Sequence, residues 1–432
     1  MRKHSKKKRQ KKVSFSEKMK KKFNKIINII FDDNSSVSSF SIFEVVIIIL
    51  ISILFGVMIG YIITYSRGSI GGIGANSELR DIVVTYDNIV ENYYGKIDKK
   101  KLSNAAIKGM VESLDDPYSN YMDSSVTTDF NDTIDGYFVG IGVVVSYEND
   151  YNTIIEIMKG GSAEKSGLKE NDVIIGINGK SAKGIYGDKL QSIVRGKVGT
   201  NLKLKVRRGE EEKTFVLKRA KVEIQSVFDH IFDYENKSIG YIRIESFASN
   251  TYKQFLKSLR RVEKKGVDAL IIDVRNNPGG QLLQTKQILN LFFNRKTILY
   301  QIKSKNLNKK VYADNNKVRS YPVGILINHE SASASEVFAS CFKENYEKSI
   351  IVGEASYGKG TVQKTQSLIG GSSIKYTTQK WLTSKGKWLN RKGVKPDIIV
   401  EQGEEYLNNP NYNTDTQLQE LLSQIVKESN HD

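Results

Sequence analysis

A single cysteine, Cys341, stands in 432 residues, so no intramolecular disulfide can form. The four histidines (His4, His230, His329 and His431) are scattered, and no Cys/His spacing suits zinc, so no metal site and no cofactor are expected. Proline is also scarce, with five residues, while lysine, asparagine and isoleucine abound; that bias speaks of coding-DNA composition more than of function. Outside the first 42 residues the chain lacks a strong excess of either charge. Those 42 residues carry 13 Lys and Arg against 3 Asp and Glu, and the remainder carries 53 against 45. The net charge of +18 therefore belongs largely to a basic tail, which excludes a basic nucleic-acid-binding domain. What remains is ordinary for a globular protein, with 39% apolar and 26% charged residues, and the length suffices for two or three domains.

One long apolar run breaks this pattern. Val45 to Tyr65 is 21 residues without a charge, enough to cross a bilayer as a helix. It is longer than the about 7–15 apolar residues of a signal peptide, and no small-x-small cleavage site follows it. The expectation is an uncleaved single-pass cell-membrane anchor over 43–66, behind a basic cytoplasmic tail over 1–42. Because the basic residues precede the span, residues 68–432 should lie outside the cytoplasm. A glycine-rich linker follows over 67–77. An amino-terminal helical segment over 78–134 comes next, where Leu79, Ile82, Val83, Tyr86, Ile89, Val90 and Tyr93 recur at helical spacing. A second helix over 101–114 should end at the turn Asp115-Asp116-Pro117-Tyr118-Ser119.

From 135 to 221 short β-type runs alternate with glycine turns. Tyr137-Phe138-Val139-Gly140-Ile141-Gly142 and the string from Gly161 to Leu168, followed by Asn171-Asp172-Val173-Ile174, resemble the signature of a PDZ domain. Phe138, Val139, Gly140, Ile141 and Gly142 are the candidate substrate-binding residues. Such a loop offers backbone amides to a free carboxylate while the neighbouring strand edge pairs with an extended peptide.

From 222 to 402 strands and helices alternate as in an α/β layered core, and a helical tail occupies 403–432. Ala269 to Val274 reads as a buried strand leading into the tight loop Arg275-Asn276-Asn277-Pro278-Gly279-Gly280. Val323 to Ile327 reads as another, leading into Ser331-Ala332-Ser333-Ala334-Ser335-Glu336 and then a helix with Val337, Phe338, Cys341 and Phe342 at helical spacing. A serine at such a junction can present a hydroxyl beside free helix amides. Lys359, between Gly358 and Gly360, could lose its proton in a low-dielectric pocket and act as base. On these residues alone the run is equally a packing and capping feature, and the glycine-flanked lysine a solvated turn.

Taken together, the motifs resemble the carboxy-terminal processing peptidases, or tail-specific proteases, over roughly residues 80–402. The resemblance rests on Gly109-Met110, Leu114 to Ser119 with Tyr121, the PDZ-like segment, Asp273 to Gly280, Ser331 to Glu336, Tyr357-Gly358-Lys359-Gly360 with Gln363, and Gly393 with Lys395-Pro396-Asp397. It implies a multidomain α/β chain in which the PDZ-like β domain precedes a crotonase/Clp-protease-like peptidase core. It implies a serine endopeptidase with Ser333 as nucleophile, Lys359 as general base and Gln363 orienting the lysine. The Ala334 amide, with that of Gly279 or Gly280, would form the oxyanion hole. Implied partners are protein substrates with free carboxy-terminal tails, cut outside the cytoplasm; no nucleic acid is implied. The sequence departs from the family pattern at Glu330, which replaces a glycine, and a carboxylate there could raise the pKa of Lys359. The alternative function is a non-catalytic PDZ-type scaffold, against which intact Ser333, Lys359 and Gln363 count. Helices over 79–93 and 415–427 are candidate surfaces for a homo-oligomer.

Overall fold

The computed structural model describes residues 20–22, 24–25, 41–70, 77–316 and 318–429. The rest of the basic tail lies outside the described residues. The apolar run folds as one helix, α1 (Ile42–Ile70), whose stretch Phe43–Ile62 is long and apolar enough to cross a membrane and holds no buried residue. It runs through Ile70 into the segment read as a flexible linker; residues 71–76 of that segment lie outside the described residues. Helix α2 (Ser77–Asn92) carries Leu79, Ile82, Val83 and Ile89 exposed, and α3 (Lys99–Glu112) follows it. The chain divides into two units, residues 1–104 and 105–432.

In the second unit β1 (Asn120–Met122) precedes α4 (Ser124–Asp135). The Asp123 carboxylate caps α4 by accepting from the Ser125 and Val126 amides, and Gly136 ends it in the left-handed region that a side chain disfavours. The PDZ-like domain comprises β2 (Tyr137–Gly140), β3 (Val143–Glu148), β4 (Tyr151–Ile157), β5 (Val173–Ile177), β6 (Lys180–Ser181), α5 (Gly187–Val194), β7 (Asn201–Arg208), β8 (Glu211–Lys218) and β9 (Ala220–Glu223). Strict alternation in β7 buries Leu202, Leu204 and Val206 while Lys203 and Lys205 face water. The sheet order β3-β4-β5-β7-β8 leaves β3 at an edge, and β2 pairs instead with β9.

The α/β core holds β10 (Val227–Tyr234), β11 (Lys237–Ile244), α6 (Thr251–Glu263), β12 (Ala269–Asp273), α7 (Leu282–Leu289), β13 (Ile298–Lys303), β14 (Asn308–Tyr312), β15 (Val323–Ile327), α8 (Ala334–Asn345), β16 (Ser349–Gly353), β17 (Thr361–Ser367), β18 (Ser373–Leu382), β19 (Ile398–Ile399), α9 (Glu404–Asn408) and α10 (Thr416–Ser429). Its main sheet has the order β10-β11-β12-β15-β16-β19, parallel except for the β10–β11 hairpin. Every residue of β12 and β15 is buried, as a sheet covered on both faces requires. Phe255, Leu259, Ile288, Phe338 and Phe342 cover one face. Leu418, Leu421, Leu422, Ile425 and Val426 of α10 pack with Tyr241, Ile271, Leu326 and Val352 on the other. The apolar side of 415–427, read from sequence as an assembly surface, is thus spent inside the chain's own core. A second sheet, β1-β18-β13-β14 with β17 on β18, ties Asn120–Met122 to Ser373–Lys375.

Candidate active site

Adjacent parallel strands β12 and β15, with Asp273 opposite Leu326, end at the same edge of the sheet. Ligand sites of open α/β sheets form at such carboxyl ends. The two loops leaving them are stitched by small polar side chains. Ser331 Oγ donates to the Val274 carbonyl (2.8 Å) and Ser335 Oγ to that of Asn277 (2.9 Å). The Ala332 amide also donates to the Asn277 carbonyl (3.0 Å). The crowded serines and alanines therefore let one loop lie against the other.

Ser333 sits at this seam with φ 54° and ψ −110°, a conformation that non-glycine residues rarely hold and that costs about 1–3 kcal/mol. Glu336, one turn into α8, holds it there: its Oε2 accepts the Ser333 amide at 2.7 Å, the reverse half of a capping box. The same oxygen accepts the Lys359 amide (2.8 Å), while Oε1 accepts the Gly358 amide (2.7 Å) and the Ser356 hydroxyl (2.7 Å). One fully buried carboxylate thus joins the backbones of the serine and lysine segments. Burial pushes its pKa up, against four hydrogen bonds that favour the charged form.

The Lys359 side chain lies over the Tyr118 ring, its Nζ 4.7 Å from the centroid. Its pKa is lowered, first by burial and then by repulsion from Lys375; Asp116 and Glu336 oppose this. Burial and a hydrogen bond to Tyr357 push Tyr118 up to about 12, so the ring stays a neutral phenol. Ser333, Lys359, Gln363, Gly279, Gly280 and Lys375 all line one cavity of about 620 Å³. The Gln363 amide nitrogen donates to the hydroxyls of Thr361 (2.9 Å) and Thr377 (3.0 Å).

Gly279 (φ 102°) lies so close to the serine loop that a Cβ there would stand 2.7 Å from the Ala332 carbonyl oxygen and 2.9 Å from the Ala334 nitrogen. Its own amide donates to Asn277 Oδ1 (2.9 Å), whereas the Ala334 and Gly280 amides have no protein acceptor among the described residues. Glu330, suspected of facing Lys359, points to solvent with its side chain 59% exposed; the carboxylates that bear on the lysine are Asp116 and Glu336. His329 reaches Glu354, and His230 stacks on Tyr412, so neither histidine lines the serine cavity.

In the PDZ domain Phe138, Gly140 and Ile141 line a cavity of about 470 Å³, together with Val143 and Val144 of β3 and Leu190 of α5. Val139, in β2, and Gly142, just after that strand, are not part of that lining. Val139 pairs with Lys221, and the Gly142 carbonyl accepts from the Met158 amide at 3.0 Å. Sequence reasoning missed Glu336 as the link between the serine and lysine segments, although its capping-box spacing from Ser333 was a signal. It also missed the site role of Asp116 and Tyr118, which were read only as part of the Leu114 to Ser119 turn, and of Lys375, which belongs to no quoted motif; the second sheet ties their segments together.

The family model "Peptidase family S41" matches residues 238–400, "PDZ domain" matches 129–207 and "Activating protease CtpB N-terminal domain" matches 66–126. The chain is 39% identical over 330 residues to carboxy-terminal processing protease CtpB of Bacillus subtilis, covering 75% of this chain and 68% of that one. It is 39% identical over 318 residues to CtpA of the same organism, covering 73% and 67%. A probable CtpA-like serine protease of Staphylococcus aureus (strain N315) is 38% identical over 330 residues, covering 75% and 65%. A solved photosystem II D1 C-terminal processing protease is 25% identical and covers 76% of this chain and 88% of its own, with a TM-score of 0.45. A PDZ domain followed by a serine-type peptidase core defines the class. The chain belongs to the carboxy-terminal processing proteases of peptidase family S41.

Proposed function

We propose that this protease cuts peptide bonds with Ser333 as nucleophile and Lys359 as general base. The observation that carries the reading is the buried Glu336 carboxylate, which holds the Ser333 and Lys359 amides on a single oxygen at 2.7 and 2.8 Å. Neutral Lys359 takes the proton of the Ser333 hydroxyl as Oγ bonds to the scissile carbonyl carbon. The oxygen that gains charge is met by the Ala334 amide and a glycine amide; since Gly279 is engaged by Asn277, Gly280 is the better second donor. Collapse breaks the C–N bond, and protonated Lys359 gives its proton to the departing amine. Water, deprotonated in turn by Lys359, releases the acyl group and restores the hydroxyl. Gln363 would help orient the lysine from the same cavity wall; its amide nitrogen donates to the Thr361 and Thr377 hydroxyls, not to Lys359.

The PDZ groove between β3 and α5 would take a substrate's carboxy-terminal tail as an added strand, with Phe138 to Gly142 receiving the carboxylate. Helix α1 would anchor the chain in the cell membrane with the basic tail inside and residues 68–432 outside. This makes the substrates extracytoplasmic proteins cut near their carboxy termini.

Ser333→Ala and Lys359→Ala should each abolish cleavage of a tail-bearing protein, followed by gel and mass spectrometry, while leaving the thermal transition in place. Lys359→Arg should be equally inactive, because a guanidinium keeps its proton. Cleavage by any of these purified variants would refute the dyad.

A further inference from the structure

We propose that Lys375 forms a carboxylate-binding subsite beside the catalytic serine, which receives either the terminal carboxylate of a polypeptide or an Asp or Glu side chain of the segment being cut. The inference rests on the Ser333–Lys359 reading and extends it to the substrate.

Lys375 lies mid-sheet in β18, opposite Thr365 of β17 and Asn120 of β1, and lines the serine cavity. Its ammonium stands 5.1 Å from the centroid of the Phe130 ring of α4. Among the described residues no carboxylate lies within 4.0 Å of it, although surface lysines such as Lys286 and Lys343 do have such partners. No backbone or side-chain acceptor among the described residues takes its protons. The cavity lining contains two lysines and no Asp or Glu.

A half-buried ammonium without an acceptor is costly, and an aromatic face offsets only about 0.5–2 kcal/mol of that. Burial accordingly lowers its pKa. Of the two cavity lysines, the base must be neutral to work, so Lys375 is the cation left for the substrate. Its charge helps keep Lys359 neutral, since repulsion from Lys375 is the second cause of the Lys359 shift. A carboxylate arriving with the peptide would supply the missing charge-assisted hydrogen bond. An acidic peptide or a chain end is thus favoured where the wall itself offers no acid to compete.

The test uses the full chain in detergent and two matched peptide pairs. One pair ends a few residues beyond the cut as free acid or amide. The other carries Glu or Gln near the cut, scanned by position, with both ends blocked so that a groove specific for free termini cannot distinguish them. Wild type should favour the acid of at least one pair by about tenfold in kcat/KM, mostly through KM, and the favoured pair names the source of the carboxylate. Lys375→Met should bring that ratio to about one and Lys375→Arg should retain it. If wild type shows no preference, or the ratio survives in Lys375→Met, the subsite is refuted. A loss in Lys375→Met that is equal for acid and neutral peptides refutes it too, since the lysine would then act on the dyad or the oxyanion. Should Lys375→Met fail to fold, the wild-type ratio decides by itself: it must fall as salt rises, and a salt-independent ratio refutes the subsite. Cleavage by Ser333→Ala would instead overturn the dyad, so the two failures are distinguishable.

Discussion

Glu336 bears on Lys359 in two opposing ways. Its hydrogen bonds place the lysine's backbone beside the serine's, yet its charge favours the protonated lysine, which could not serve as the proposed base. The other groups facing Lys359 are Asp116, Tyr118 and Lys375, and only Lys375 pushes with burial toward the neutral amine. Glu336→Gln keeps the shape but sets an NH₂ against protein donors. It should lower kcat by about 10- to 100-fold through misplacement. Removing the negative charge lowers the lysine's pKa, so the acid limb of kcat/KM against pH should move to lower pH. A limb that stays put or moves up would mean that Glu336 acts by shape alone. The glycine of the facing loop is as constrained: Gly279→Ala should lose activity, because its Cβ would strike the Ala332 carbonyl and the Ala334 amide. Full activity in that variant, assayed on the same peptides, would contradict the close approach of the two loops.

Helix α10 reaches the site's scaffold through one buried cation. Arg275, on the loop after β12, donates to Asp273 and to both oxygens of Asp415 at 2.8 and 2.7 Å. Tyr241 completes the cluster by donating to Asp273 at 2.7 Å. Asp415→Asn leaves the guanidinium short of a charge and should destabilise the fold by about 3–5 kcal/mol in urea titrations. Burial raises the Asp415 pKa, but the Arg275 bonds outweigh it and the net shift is downward from 3.8. Its stabilisation is therefore present above the unfolded value and is lost as pH falls through the folded one. Wild type should lose stability on acidification below about pH 4 more steeply than Asp415→Asn. Parallel slopes would show that this pair does not set the acid response.

At the scale of the whole chain, α1 and the PDZ groove are expected to act independently of the chemistry. Full-length protein should resist carbonate extraction from membranes, and a chain lacking residues 1–70 should not, while both cleave a soluble peptide at comparable rates. Val144→Asp, which sets a carboxylate on the groove wall, should raise KM for tail-bearing proteins and spare short peptides; an unchanged KM would remove the groove from substrate capture. Much of this was legible in the residues. The uncharged run over 45–65, the apolar runs that make β12 up to Asp273 and all of β15, and the small residues between Asn328 and Glu336 are local patterns, each dictated by its own solvent exposure or steric room. The pairing of β1 with β18, which brings the segment of Asp116 and Tyr118 to that of Lys359 and Lys375, is not local. Asn120 and Lys375 meet as paired residues on neighbouring strands of one sheet, and no periodicity encodes a pairing over that sequence separation. The sequence by itself determined which groups could do the chemistry, since serine, lysine and flexible glycines are fixed by covalent type. Only the tertiary structure decided the electrostatics. Which form of Lys359 its surroundings favour, which carboxylates bear on it and which second lysine shares its cavity depend on burial and distance, which exist only once the layers have packed.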